Sequence, residues 1–164
     1  MPRLRPRIIA LMISVLLMGI LLGGIVYSHI AFFPSYLSDL PRSATLTNRP
    51  YPIRDASFWT LIHPFAILSL IASLLLNWKI PARRKLISIP LIVYLLAIVV
   101  TALYFVPELR AFHDSPSSGL SAADWYARGQ RWQHLSWTRG AVMALSYFAL
   151  LLALVWPEET AGGS

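Results

Sequence analysis

Residues 8–33, IIALMISVLLMGILLGGIVYSHIAFF, decide the fold. The run is apolar or small throughout, interrupted only by Ser14, Tyr27, Ser28 and His29, and it exceeds the roughly 20 residues that an α-helix needs to cross the hydrocarbon of a bilayer. The preceding Met1-Pro2-Arg3-Leu4-Arg5-Pro6-Arg7 has the charge of a secretory n-region. A cleavable h-region, however, runs only about 7–15 residues, so the stretch predicts a retained signal anchor.

Outward from it, three further runs of spanning length occupy residues 58–78, 86–106 and 135–156, with Pro81, Pro107 and Pro157 just beyond span ends. At those places a missing amide donor does little harm. The composition agrees: of 164 residues 57% are hydrophobic and 13% charged, against about 25% charged in an ordinary soluble domain. A soluble globule is excluded. The predicted fold is all-α, an integral membrane four-helix bundle forming one domain over 1–164, with outer segments 34–57 and 107–134. Without cysteine there are no disulfides, thiolate ligands or cysteine nucleophiles.

Of the 14 Lys and Arg, two dense groups set the orientation. Arg3, Arg5 and Arg7 precede the first span, and Lys79, Arg83, Arg84 and Lys85 fill the short connection between the second and third. Charges packed beside helix ends stay in the cytoplasm, so both termini are predicted inside, in a bacterial inner membrane. The same clusters suit anionic lipid headgroups. No glycine-rich phosphate loop, nucleophile elbow or kinase signature occurs, and the bilayer rather than nucleic acid is the expected partner.

Segment 34–57 holds four prolines and no helical period, whereas 107–134 contains a helix starting at Ser121, with Asp124 three residues later as in a capping box. Asp124 and Arg128 are placed for an i,i+4 ion pair. Ala122, Trp125, Tyr126, Gly129 and Trp132 line one face, as in an interfacial helix. Nothing up to Arg139 forces a stop, so this helix is predicted to run into the fourth span as one long rod, part of it outside the membrane. Gly19 with Gly23, Ser69 with Ser73, and Gly140 with Ala144 are small-residue pairs for close helix approach, within the bundle first and between copies in a homo-oligomer second.

The four histidines lie on one side of the membrane whichever way the chain is oriented: His29 at the end of span one, His63 near the start of span two, His113 after span three and His134 before span four. His63 is deepest, about 7.5 Å into its span at 1.5 Å per residue, with Trp59 one turn earlier. Intramembrane ionisable groups are functional candidates. Imidazole suits copper, iron and zinc, so His29, His63, His134 and His113 are candidate metal ligands, or axial ligands of a haem. The competing reading makes them interfacial anchors, and H-E-x-x-H, C-x-x-C-H and related signatures are absent. Arg139 needs an acceptor inside its span. Glu108, at the end of span three, is the predicted partner, and Trp125 and Trp132 precede Arg139 at intervals of seven, which offers an indole face. Snorkelling is the alternative. His63, His134, Arg139 and Glu108 are thus catalytic candidates, and Trp59 and Trp132 candidates for a substrate pocket.

His29-Ile30-Ala31-Phe32-Phe33-Pro34, Tyr104-Phe105-Val106-Pro107-Glu108-Leu109 and Trp132-Gln133-His134-Leu135-Ser136-Trp137-Thr138-Arg139 resemble the anthrone-oxygenase-like family of small four-helix membrane proteins. The resemblance implies a compact bundle and, in the fungal members, oxygenation of a lipophilic polycyclic anthrone to a quinone. It carries His29, Glu108, Trp132 and Arg139 as motif positions. Trp59-Thr60-Leu61-Ile62-His63-Pro64 departs from the family pattern and marks His63 as a subgroup feature. The expected function is a membrane oxidoreductase of oxygenase type, acting on a lipophilic aromatic or quinone-like molecule in a histidine-lined pocket open to the outer leaflet. In a metal-dependent form His29, His63 and His134 hold an oxygen-activating ion. In a cofactor-free form a neutral histidine takes a proton from a carbon acid while Arg139 stabilises the oxyanion. The rival is a non-enzymatic scaffold or lipid- and partner-binding protein. A transporter is disfavoured, because spans two to four carry no interior charge but Arg139 and no paired broken helices.

Overall fold

The structure, a computed structural model, describes residues 5–47, 50–114 and 119–157; Arg3 and Arg49 lie outside them. Among the described residues the chain is all helical: α1 (Pro6–Tyr27), a π-helical turn (Ser28–Phe32), α2 (Phe33–Tyr36), a 3-10 turn (Arg42–Thr47), α3 (Asp55–Leu76), α4 (Pro81–Val100), a second π-helical turn (Thr101–Phe105), α5 (Val106–Asp114) and α6 (Ala122–Val155). Four stretches, Pro6–Tyr36, Asp55–Leu76, Pro81–His113 and Ala122–Val155, are long and apolar enough to cross a membrane. The protein is a membrane-spanning helical bundle. α6 is one rod of 34 residues. The Ser121 hydroxyl accepts from the Asp124 amide and the Asp124 carboxylate from the Ser121 amide, which completes the capping box.

Spans one and three, expected to end at Phe33 and Val106, continue past them. Pro34 and Pro107 each stand at the second position of a new helical segment that follows a π turn. In a continuous α-helix each ring would collide with the carbonyl four residues back. The π turn widens the helix just ahead of it: Phe33 donates to Ser28 O and Val106 to Thr101 O, five residues back. Segment 34–57, expected without helix, therefore begins helical, and span three continues to Asp114.

This continuation builds a second core. The membrane core gathers Leu11, Met18, Leu70, Ile87, Tyr94 and Leu150, while Phe33, Tyr36, Leu40, Phe112, Trp125 and Trp132 form an aromatic cap at the end of the bundle away from the N-terminus of α1. Within the bundle a hydrogen bond of 2.8 Å joins Ser14 and Ser73 hydroxyls. Gly19 admits the Tyr147 hydroxyl and Gly140 the Ile25 side chain, and a Cβ at either would crowd its neighbour at 3.2 and 3.1 Å. These glycines serve packing within one chain, as small residues do where lipid offers no drive for helices to associate.

At the opposite end of the bundle Arg83 departs from its expected role at the lipid surface. It is 3% exposed, and it donates to Trp156 O at 2.7 Å and to Asn77 Oδ1 at 3.4 Å. Asn77, fully buried, donates in turn to Ser73 O and Arg7 O. The third residue of α4 thereby meets the carbonyl end of α6, where the helix dipole favours a cation. Arg83→Ala leaves these acceptors without a donor, at about 1–3 kcal/mol for each buried group abandoned, and is expected to lower the melting temperature in detergent by several degrees. Arg84, stacked over exposed Trp78, is the control, with Arg84→Ala expected within about 0.5 kcal/mol of the parent.

Candidate functional site

Polar groups meet where the membrane core joins the aromatic cap, and both π turns deliver them. The first carries His29, the second opens with Thr101 and closes with Phe105. π turns favour functional positions because they break the hydrogen-bond ladder locally and re-aim side chains. Arg139 reaches across from α6. It donates to Thr101 Oγ1 at 2.6 Å and to Ser136 Oγ at 3.0 Å, and its guanidinium lies 4.0 Å from the centre of the Phe105 ring. Thr101 passes the bond on to Ala97 O. All of these acceptors are neutral.

The expected Glu108 partner is bound elsewhere. Glu108 takes both donors of Arg128, at 2.7 and 2.9 Å, and Arg128 lies over the Phe112 and Trp125 rings. The reason is register: α5 continues antiparallel to α6, so Glu108 sits seven residues beyond Thr101, about 10 Å further out at 1.5 Å per residue. Glu108 and Arg128 clamp the cap, and Asp124, assigned to Arg128 by spacing, serves the Ser121 cap instead. Arg139 also does not face an indole. Trp132 is 1% exposed, bonds Phe105 O through Nε1 at 3.2 Å, and packs against Phe33 and Phe105. Trp132 fills the cap rather than lining a pocket, and touches the site through Phe105 and Phe33.

The histidines divide. His29 is 3% exposed, with its ring between Phe33 and Trp137 and Nδ1 2.7 Å from Ile25 O. A carbonyl only accepts, so Nδ1 carries the hydrogen, and Nε2 is a buried acceptor with no partner among the described residues. His63 lies deeper, its Nδ1 2.5 Å from the buried Tyr94 hydroxyl and its ring stacked on Trp59. Among the described residues His63 Nδ1 is the one partner of that hydroxyl. Trp59 is held in place by its Nε1 bond to Asp55 at 2.9 Å. His134 is exposed on the outer surface of α6, and His113 sits on α5 in the cap. Among the described residues no three His, Asp or Glu side chains gather closely enough to hold a metal ion; the expected ligand set of His29, His63 and His134, with His113 nearby, is not assembled. Tyr94, Thr101 and Ser136 are site residues that the sequence reading does not single out. Their signal is a hydroxyl in an otherwise apolar span.

A cleft of about 430 Å³ between α4 and α6 reaches Arg139 and Phe105. Its mouth is set by exposed Leu96, Val100, Leu135 and Val142, and its inner wall by Phe105, Met143 and Arg139. Fold and site together define a four-span helical membrane protein with an apolar cleft that ends on an arginine lacking a carboxylate partner among the described residues. No family model, curated protein or solved structure matches the chain.

Proposed function

We propose that the protein is a membrane oxidoreductase of oxygenase type, whose substrate is a lipophilic aromatic or quinone-like molecule entering the α4–α6 cleft from the outer leaflet of a bacterial inner membrane, with both termini cytoplasmic. One observation carries this reading: Arg139, a permanent cation among neutral partners, stands at the wall of an apolar cleft open to lipid. A cation in water-poor surroundings stabilises a developing oxyanion far better than one in water. The resemblance to anthrone-oxygenase-like proteins supports the same class.

The chemistry needs only dioxygen as co-reactant. A histidine takes a proton from the methylene of an aromatic ketone, and Arg139 holds the enolate oxygen. The enolate gives up its electrons to dioxygen, so that one methylene and one dioxygen yield one carbonyl and one water. Both carbon–hydrogen bonds of the methylene break, one oxygen atom stays on the oxidised carbon, and the other leaves as water with the two hydrogens. The test uses the full chain in detergent with anthrone as probe, following oxygen consumption and quinone formation against protein-free micelles. Equimolar oxygen uptake and quinone formation, at a rate well above that blank, is the expected result; a rate equal to the blank overturns the proposal. A second reading, a lipid-binding protein, is favoured by the lipid-facing mouth of the cleft, and it predicts a tightly co-purifying lipid without oxygen uptake.

A further inference from the structure

Resting on that reading of the cleft, we infer that the α4–α6 cleft also binds long-chain fatty acids, with the carboxylate on Arg139 and the chain toward the membrane core, and that these acids compete with the neutral substrate. Among the described residues Arg139 is the one charged group in the lining of the cleft, and no carboxylate faces it there. A guanidinium has five N–H donors. Among the described residues two hydrogen bonds engage this one, to the neutral hydroxyls of Thr101 and Ser136. A full charge in a span without an opposite charge is costly, and a carboxylate is the anion whose planar pair of oxygens best fits the guanidinium fork.

The register of the two helices supplies the seat for the chain. α4 and α6 run antiparallel, tied by Arg83 to Trp156 at one end and by Thr101 to Arg139 at the other. From Thr101 back to Val93 is eight residues, about 12 Å at 1.5 Å per residue, and Val142 and Met143 follow Arg139 in the same direction. Along that stretch the cleft is walled by Val93, Leu96, Ala97, Val100, Val142 and Met143. Leu96, Val100 and Val142 are exposed, so a chain enters sideways from the bilayer. The order of charge at the cap and hydrocarbon toward the core is that of a fatty acid in its leaflet. A volume of about 430 Å³ lies within the roughly 300–1,000 Å³ of small-molecule sites and suits one chain, whereas a phospholipid brings a second chain and a glycerol headgroup. The ketone of the proposed reaction gains its negative charge only on the way to the enolate. A carboxylate carries that charge from the start, so it occupies Arg139 without reacting and blocks the site.

The experiment follows tritiated palmitate bound to the full chain in a non-ionic detergent. Unlabelled palmitate is expected to displace it at least about tenfold better than methyl palmitate, the gap that goes with one charge pair in water-poor surroundings. Palmitate should also raise the KM for anthrone with kcat unchanged, and raise the melting temperature as a ligand of the folded state does, while the ester does neither. Arg139→Met should lose the preference for acid over ester, Arg139→Lys should keep part of it, and Arg84→Ala, at the opposite end of the bundle, should keep all of it. The comparison of acid with ester needs only the parent protein, so a folding defect in a variant does not remove the test. Equal displacement by acid and ester, a preference undiminished in Arg139→Met, or a palmitate that binds without raising KM overturns the inference. The oxygenase reading then still stands, because anthrone turnover is measured without fatty acid. Absence of both palmitate binding and anthrone turnover overturns the cleft reading and the inference with it.

Discussion

Arg139→Met is expected to reduce oxygenation of anthrone by about 10²–10³-fold, the loss typical of removing one oxyanion-stabilising donor, while leaving the protein as stable as the parent or more so. The two halves of this expectation have one physical origin. The guanidinium is held in a span by Thr101, Ser136 and the Phe105 ring, without a carboxylate partner among the described residues. Exchanging buried charge for apolar side chains of similar volume is often neutral or stabilising. Here the hydroxyls of Thr101 and Ser136 lose a donor but keep local options: Thr101 already donates to Ala97 O, and Ser136 can turn to the carbonyls of its own helix. Arg139→Lys keeps the charge, but it cannot reproduce a planar fork that bonds two hydroxyls while lying over a ring, and an intermediate rate is expected. Oxygen consumption and thermal unfolding measured on the same detergent samples separate the terms. Anthrone turnover by Arg139→Met within a few-fold of the parent would remove Arg139 from the chemistry. A large fall in melting temperature would make it a structural residue.

How far the sequence anticipates this arrangement depends on which force sets each feature. The four spans follow from hydropathy, and the single long α6 follows from Ser121 and Asp124 at its start and from nothing to stop it before Arg139. Both are local or compositional. Spans one and three run past Pro34 and Pro107 because a proline forbids a continued α-helix but not a restart, and whether the chain restarts is decided by the widened turn before it. The partner of Arg139 escapes sequence reasoning for a tertiary reason: Glu108 is near in topology, yet the seven residues separating it from Thr101 carry it into the cap, where Arg128 waits. His134 is within reach of the sequence. Five residues before Arg139 on one helix, it points about 140° away around the axis at 3.6 residues per turn, which agrees with its exposure. Arg83 is not within reach, since only the end of α6 folding back beside α4 turns a lipid-facing cation into a buried tie.

Trp132→Ala carries the largest expected loss of stability. The indole is 1% exposed, packs at 4.5 Å from the Phe33 ring and 5.5 Å from Phe105, and donates to Phe105 O at the end of the second π turn. Truncating a buried tryptophan costs about 3–5 kcal/mol through lost burial and the cavity left behind. For a chain of this length that corresponds to roughly 6–20 °C in melting temperature. Trp132→Phe keeps most of the volume and removes the N–H, so its cost is expected nearer 1–3 kcal/mol. Because the cap and the membrane core are separate clusters, the alanine variant should retain most of its far-ultraviolet helix signal while its near-ultraviolet aromatic signal falls. Activity should fall with it, for Phe105 lies between Trp132 and Arg139 and loses a neighbour that orients it. The order of events distinguishes this residue from Arg139: in Trp132→Ala the loss of turnover tracks the loss of cap packing and is relieved at low temperature, whereas in Arg139→Met it persists in a fully folded protein. If Trp132→Ala melted with the parent and retained its near-ultraviolet signal, the cap would not be the rigid platform that aims Arg139, and the support for the site would have to come from the membrane core alone.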